Sequence, residues 1–445
     1  MNKSEDSLKT LNPMRRVLAN FWILIRGRGA AAIMAFGATA LMARSLGPAE
    51  FGLVVLMHTY AMLMRALFDF GSVDAIVRFG VPAHDESDSH TLGRLIKVCR
   101  RIDKQASIAA TLLALIVAPV AGPFMGMDSQ HVILLTAYSL VLITTGTGIG
   151  TGTAAGILRL YDRFDILGRQ MTIAPTIRFF GVVIAWWLSA PIQVFVAIWA
   201  SGYAAENFYL IWHAKHKYNT HIKEALGGVS VKGAKLNDFE GLRHFLWVTY
   251  WQSNLDILPK HITTVMVGYL LGPAEAGLLR LARELSSMLS KPAILIRQVI
   301  FVDLTRHWNQ GNKAFDVIAY RTALFGGALG LLFVMASYFF GDHLLATLLG
   351  QQFVAAKTVL TLMLLAATLD LAASPLRSAI YAMGYAAKAM RLYIVSTSIY
   401  LTLFVMLTAK MGLIGAGVAA STAAALTLIG MLVLIRGNGQ DGPKS

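Results

Sequence analysis

Apolar stretches recur along the whole chain, parted by short polar segments. About 20 apolar residues in helical form are needed to cross about 30 Å of hydrocarbon. On that rule the pattern predicts about twelve membrane-spanning helices, at 18–43, 51–73, 105–124, 131–157, 170–189, 192–213, 244–270, 275–299, 322–340, 358–374, 392–409 and 412–435. The expected fold class is therefore all-α and integral to the membrane. The break from Ala214 to Arg243 holds Gly227, Gly228, Gly233 and five lysines. It reads as a flexible cytoplasmic linker at 214–243, joining an amino-terminal six-helix bundle at 1–213 to a carboxy-terminal one at 244–445.

Composition supports the same reading. Hydrophobic residues make up 56% of 445 and charged residues 14%, with a mean hydropathy of +0.59, whereas about a quarter of a soluble domain is charged. The formal charge of +15 does not point to nucleic acid, because Lys and Arg lie in short loops rather than on one basic domain. Membrane lipids of the anionic inner leaflet are the expected partner. With the amino terminus placed inside, cytoplasmic segments hold 27 Lys and Arg, outside loops hold only Arg44, Lys357 and Lys410, and nine fall within spans. That bias predicts both termini to be cytoplasmic. The mixed charges of the first twelve residues, ahead of a run long enough to span, predict no cleavable signal peptide.

An internal repeat is present. Leu46-Gly47-Pro48-Ala49-Glu50 returns as Leu271-Gly272-Pro273-Ala274-Glu275, and at the same offset Gly52 matches Gly277 and Leu53 matches Leu278. Both copies follow the first helix of a half, so the repeat is expected to be parallel, with its axis along the membrane normal.

Four segments together carry a family likeness: Ala43-Arg44-Ser45-Leu46-Gly47-Pro48-Ala49-Glu50-Phe51-Gly52, Asp69-Phe70-Gly71, Leu160-Tyr161-Asp162-Arg163-Phe164 and Gly412-Leu413-Ile414-Gly415-Ala416-Gly417. In these the chain resembles the polysaccharide transporter (O-antigen flippase) family of the multidrug/oligosaccharidyl-lipid/polysaccharide exporter superfamily. The resemblance implies two bundles around a central cavity in a bacterial inner membrane. It also implies alternating access acting on polyprenyl-diphosphate-linked sugars, with the polymerase and glycosyltransferases of the same pathway as possible partners.

Ionisable residues inside spans are costly and usually face a cavity or a partner. Arg28 lies in the first span, and Gly29 to Ala43 covers only about 22 Å at 1.5 Å per residue, which draws Arg28 into the membrane zone. Arg65 and Asp69 stand four apart, a spacing that suits an ion pair. Arg178 has no acid one turn away and lies near Pro175. On the seventh span Thr249, Ser253, Asp256, Lys260 and Thr264 draw one polar stripe, interrupted by Pro259, a candidate hinge. On the eighth, Arg280 can pair with Glu284 while Arg283 has no acid at that spacing. The sequence thus predicts that Arg28, Arg178, Lys260 and Arg283, with Arg65 as a less central member, share one water-accessible cavity and bind the diphosphate of a lipid carrier. Forked guanidinium donors and a lysine point charge suit that anion.

A multidrug or ion antiporter of the same superfamily is the alternative, and Asp256, Glu206 and Asp370 would serve it as cavity or ion-coupling carboxylates. A membrane-embedded polymerase or ligase is the enzyme alternative, but the longest outside loop, roughly Gly341 to Lys357, offers only Asp342 and His343. No catalytic residue, cofactor or metal site is expected: His58, His244 and His261 lack ligand spacing, and Cys99 is the only cysteine. The run Gly146-Thr147-Gly148-Ile149-Gly150-Thr151-Gly152 lies inside the fourth expected span and reads as small-residue helix packing rather than a phosphate loop. Trp186 and Trp187 read as an interfacial anchor.

Overall fold

The computed structural model describes residues 13–146, 150–227, 233–310 and 314–438. Among these residues the chain is built of helices joined by short turns, with no strand. In order the helices are α1 (Pro13–Ala66), α2 (Ser72–Asp85), α3 (Ser89–Phe124), α4 (Ser129–Gly146), α5 (Thr151–Leu160), α6 (Phe164–Trp187), α7 (Ile192–Tyr218), α8 (Leu242–Leu271), α9 (Pro273–Asn309), α10 (Ala314–Leu348), α11 (Lys357–Ala382), α12 (Ala386–Met411) and α13 (Leu413–Asn438). Each of the twelve expected spans overlaps helix, the second and fourth with a break inside them. Eight stretches among the described residues are long and apolar enough to cross a membrane by length and composition. The α6, α8 and α9 helices are absent from those eight; they carry, respectively, Arg178, Lys260 and Arg283.

The chain divides into two compact units. One comprises residues up to Leu46 and Met57–His261, the other Gly47–Leu56 and everything from Ile262. In the first, α7 packs against α4, α5 and α6, and α2 packs against α3 and α5. In the second, α11 packs against α9, α10 and α13. Its small inward face of Ala366, Ala367, Ala372, Ala373 and Ala379 is buried, which permits that close approach.

The repeat is legible in the backbone. Gly47 adopts φ 75°, ψ 173° inside α1, and Gly272 adopts φ 101°, ψ 175° ahead of α9. Both values are ones a side chain disfavours, and each is followed by proline, so the same Gly-Pro pair bends the chain twice in the same way. The two copies then meet inside the second unit: a Cβ on Gly52 would lie 1.8 Å from the Pro273 carbonyl oxygen, and one on Gly277 would lie 3.1 Å from Gly52 Cα. Phe51 stands edge-on to Phe353, both fully buried, with ring centroids 6.1 Å apart.

Three local expectations are revised. The fourth span is not one helix: α4 stops at Gly146 and α5 restarts after Gly150, whose φ of 79° is left-handed, while residues 147–149 lie outside those described. The glycines that suggested tight packing also lower helix propensity, and here that cost prevails. Gly152 and Gly156 do face a neighbour, with α2 residues Ser72 and Ile76 against them. The segment between the second and third expected spans, 74–104, is largely helical, holding most of α2 and the start of α3. Finally, the Ala214–Arg243 segment is anchored rather than free where it is described. Ala234 is buried in the first unit's core, its carbonyl accepts from Arg101 at 3.3 Å, and Asp238 pairs with Arg94.

Candidate functional site

In the first unit α1, α4, α6 and α7 bring a polar cluster together. Arg178 on α6 is nine-tenths buried, and its buried Nε and Nη2 have no hydrogen-bond partner among the described residues. Its guanidinium lies 3.9 Å from the Tyr203 ring centroid and 5.0 Å from that of Trp199, both on α7. These aromatic faces supply quadrupole attraction to the cation but no acceptor for its N–H groups. Gly202, one residue from Tyr203, makes the room: a Cβ there would meet Arg178 Cγ and Nε at 3.3 Å.

Around this guanidinium stand polar neighbours. His58 on α1 bridges the Tyr138 hydroxyl at 2.9 Å and the Tyr203 hydroxyl at 3.3 Å, and its ring stacks on Tyr203 at 5.3 Å. Glu206, one turn after Tyr203, accepts from Gln170 Nε2 at 2.9 Å and feels the charges of both Arg178 and Arg65. Arg65 has its guanidinium beside Gly146, where a Cβ would come to 3.5 Å. Neither Arg65 nor Arg178 forms an ion pair with Glu206 among the described residues; both charges act on its carboxylate only at longer range. The expected Arg65–Asp69 pair does not form: α1 ends at Ala66, so four residues no longer make a helical turn, and Asp69 instead accepts the Gly71 N–H at 3.1 Å.

In the second unit Arg283 uses its fork. Nη1 donates to Thr264 Oγ1 and Nη2 to Thr263 Oγ1, each at 2.8 Å, and Nη2 also reaches the Tyr400 hydroxyl at 3.2 Å. The neighbouring Arg280 and Glu284 form the expected i,i+4 pair at 3.6 Å. Lys260 is exposed on α8, with Pro259 inside that helix, and Asp370 is exposed on α11. The side chains of Arg28 and Asp256 lie outside those described.

Sequence reasoning missed one buried acid. Asp103 on α3 is 9% exposed and accepts the Thr153 N–H at 2.9 Å, the Thr153 hydroxyl at 2.7 Å and the Ser72 hydroxyl. Ser72 and Thr153 lie in the first turns of α2 and α5, so this carboxylate meets the positive ends of two helices and accepts one unpaired amide proton, that of Thr153. The signal lay in Gly71 and Gly150, the left-handed residues that precede both helices. Among the described residues no group of three or more His, Cys, Asp or Glu is placed to hold a metal ion.

Apolar helices long enough to cross a bilayer, repeated through both compact units, define a multi-pass membrane protein. The chain belongs to the polysaccharide biosynthesis protein family, whose profile matches residues 17–301. This accords with the likeness carried by the Leu46-Gly47-Pro48 and Asp69-Phe70-Gly71 segments. It is 24% identical over 349 residues to the inner membrane protein YghQ of Escherichia coli (strain K12), covering 77% of this chain and 95% of that one. Its fold is similar to the lipid II flippase MurJ in an inward closed conformation, with a TM-score of 0.71 and 12% identity over 93% of this chain and 87% of the other. An inward-facing multidrug resistance MATE transporter of the MOP superfamily is similar as well, with a TM-score of 0.65 and 14% identity over 92% and 95% of the two chains.

Proposed function

We propose that this protein moves a polyprenyl-diphosphate-linked oligosaccharide or polysaccharide repeat unit across the bacterial inner membrane by alternating access, with both termini cytoplasmic. The observation that carries this reading is Arg178, a buried guanidinium with two N–H-bearing nitrogens lacking acceptors among the described residues. An uncompensated donor of this kind is costly, and a bound anion relieves it. Arg65 adds a second positive charge to the same cluster, and the diphosphate of a lipid carrier takes up both. Arg28, Lys260 and Arg283 are assigned as its further contacts and Pro259 as the hinge of α8. Family membership and the flippase named among the similar folds support the assignment. Polymerase and glycosyltransferases of the pathway are its proposed partners.

Glu206 favours a second reading, a multidrug or ion antiporter in which Glu206, Asp256 and Asp370 engage a cation. One experiment separates the two. A strain lacking the gene is scored for lipid-linked saccharide retained in the inner leaflet, then complemented with the wild type and with Arg178→Glu. Retention relieved by the wild type and not by Arg178→Glu supports the flippase. Normal saccharide export with heightened drug sensitivity in the deletion strain overturns it. Cysteines placed at Lys217 and Ser129 test orientation: an impermeant reagent applied from outside should label only the second.

A further inference from the structure

A cavity of about 800 Å³ opens in the first unit, lined by none of the residues of the arginine cluster. Phe70 from the turn after α1, Ile102 from α3, Leu236 and Phe239 from the segment before α8, and Leu246 and Trp247 of α8 form its apolar walls. Its rim carries Glu240, Arg243 and His244. Arg243 and His244 are exposed and make no hydrogen bond or ion pair among the described residues, although neighbouring cations are taken: Arg94 by Asp238 and Arg101 by the Ala234 carbonyl. A space of this size and lining encloses an apolar ligand with one polar end.

The surroundings fix where that end lies. Trp247 and Trp251, 55% and 51% exposed, stand edge to face at 5.9 Å on α8, and Trp247 also stacks on Tyr250 at 5.6 Å. Exposed tryptophans mark the headgroup level of a bilayer, so the cavity mouth opens where lipid phosphates reside. The rim has charges of both signs, with one carboxylate beside an arginine and a histidine. A head that carries a phosphate and an ammonium together complements that pattern; a purely anionic head leaves Glu240 opposed to it.

We propose that this cavity is a binding site for a zwitterionic membrane phospholipid of the ethanolamine type. Its phosphate rests on Arg243 and His244, its ammonium on Glu240, and an acyl chain lies against Phe70, Phe239 and Leu236. Native mass spectrometry of the full-length protein, delipidated and then titrated with dioleoyl phosphatidylethanolamine or dioleoyl phosphatidylglycerol, tests it. The wild type should retain phosphatidylethanolamine at least about five-fold more tightly than phosphatidylglycerol. Arg243→Ala with His244→Ala should lose that retention, Glu240→Gln should shift preference toward phosphatidylglycerol, and Leu246→Trp should fill the cavity and exclude lipid. All three charged positions are exposed, so a monodisperse, unshifted melting profile confirms that these variants fold. Retention unchanged in the double variant, or phosphatidylglycerol bound as tightly as phosphatidylethanolamine, would overturn the proposal.

Discussion

Gly52 and Gly277, equivalent positions of the internal repeat, touch backbone to backbone: a Cβ on Gly277 would lie 3.1 Å from Gly52 Cα. Such an approach leaves no space for a methyl group, and overpacking at a helix contact costs about 1–3 kcal/mol. Gly52→Ala should therefore lower the melting temperature in detergent, and Gly277→Leu should lower it further. Gly29→Ala, where nothing lies within 4 Å among the described residues, serves as the control and should leave the melting temperature unchanged or raise it, since alanine favours helix over glycine.

Arg178 gives a transport prediction with a packing control. Arg178→Ala should reduce flipping at least about ten-fold with expression intact, because the donors without acceptors are removed. Gly202→Val crowds Arg178 Cγ and Nε, already 3.3 Å from where a Cβ would stand, and should reduce flipping while leaving the charge in place. A liposome assay with a fluorescent lipid-linked saccharide reads both. Full activity in Arg178→Ala would remove the diphosphate from this site.

The fork of Arg283 should prove geometric rather than merely electrostatic. Lysine presents a point charge and cannot serve Thr263 and Thr264 as two coplanar donors do. Arg283→Lys should lose about 1 kcal/mol for each hydrogen bond abandoned. Thr263→Val combined with Thr264→Val should produce a comparable drop, and the triple variant should show little further loss. Additive losses in a denaturation series would contradict the fork.

Asp103 anchors two helix starts, so Asp103→Ala leaves the Thr153 amide and two hydroxyls without their acceptor. The expected cost is about 1–3 kcal/mol for the buried groups left bare. Hydrogen exchange should rise first at the start of α5. Asp103→Asn keeps one acceptor oxygen and should fall between alanine and the wild type.

Acid should release the segment before α8. The Lys235 N–H, 2.8 Å from Asp238, and then the Arg94 guanidinium hold the Asp238 carboxyl below its usual range. A depressed folded pKa gives stability that is fully present above the ordinary carboxylate value of about 3.9, and that is lost as pH falls through the lowered value. Exchange of the amides at 235–239 should thus accelerate below about pH 4 in the wild type. Arg94→Ala should move that onset upward; an identical onset would exclude this ion pair as the clamp.

Spans were legible because hydrocarbon thickness imposes a length on every crossing helix, and the Gly-Pro repeat was legible because a left-handed bend followed by proline has few other spellings. Arg178 could be picked out for lacking an acid one turn away. What stayed hidden depends on partners distant in sequence. The bridge from His58 to Tyr138 and Tyr203 joins α1 to α4 and α7, and the role of Asp103 depends on helix starts 31 and 50 residues away. The Arg65–Asp69 pairing failed for a local reason, the end of α1 at Ala66, and helix ends are where periodicity loses its hold.

The membership of Gly47–Leu56 in the second unit bears on how the chain is made. These ten residues leave the ribosome before residues 57–261, yet the partners that bury Phe51 and Gly52, namely Phe353, Pro273 and Gly277, come after them. During synthesis this piece of α1 must wait in the bilayer with an apolar face uncovered until the later helices arrive. A gene cut within 214–243 would accordingly yield a carboxy-terminal fragment lacking its own packing element, and only co-production with the other fragment would restore it.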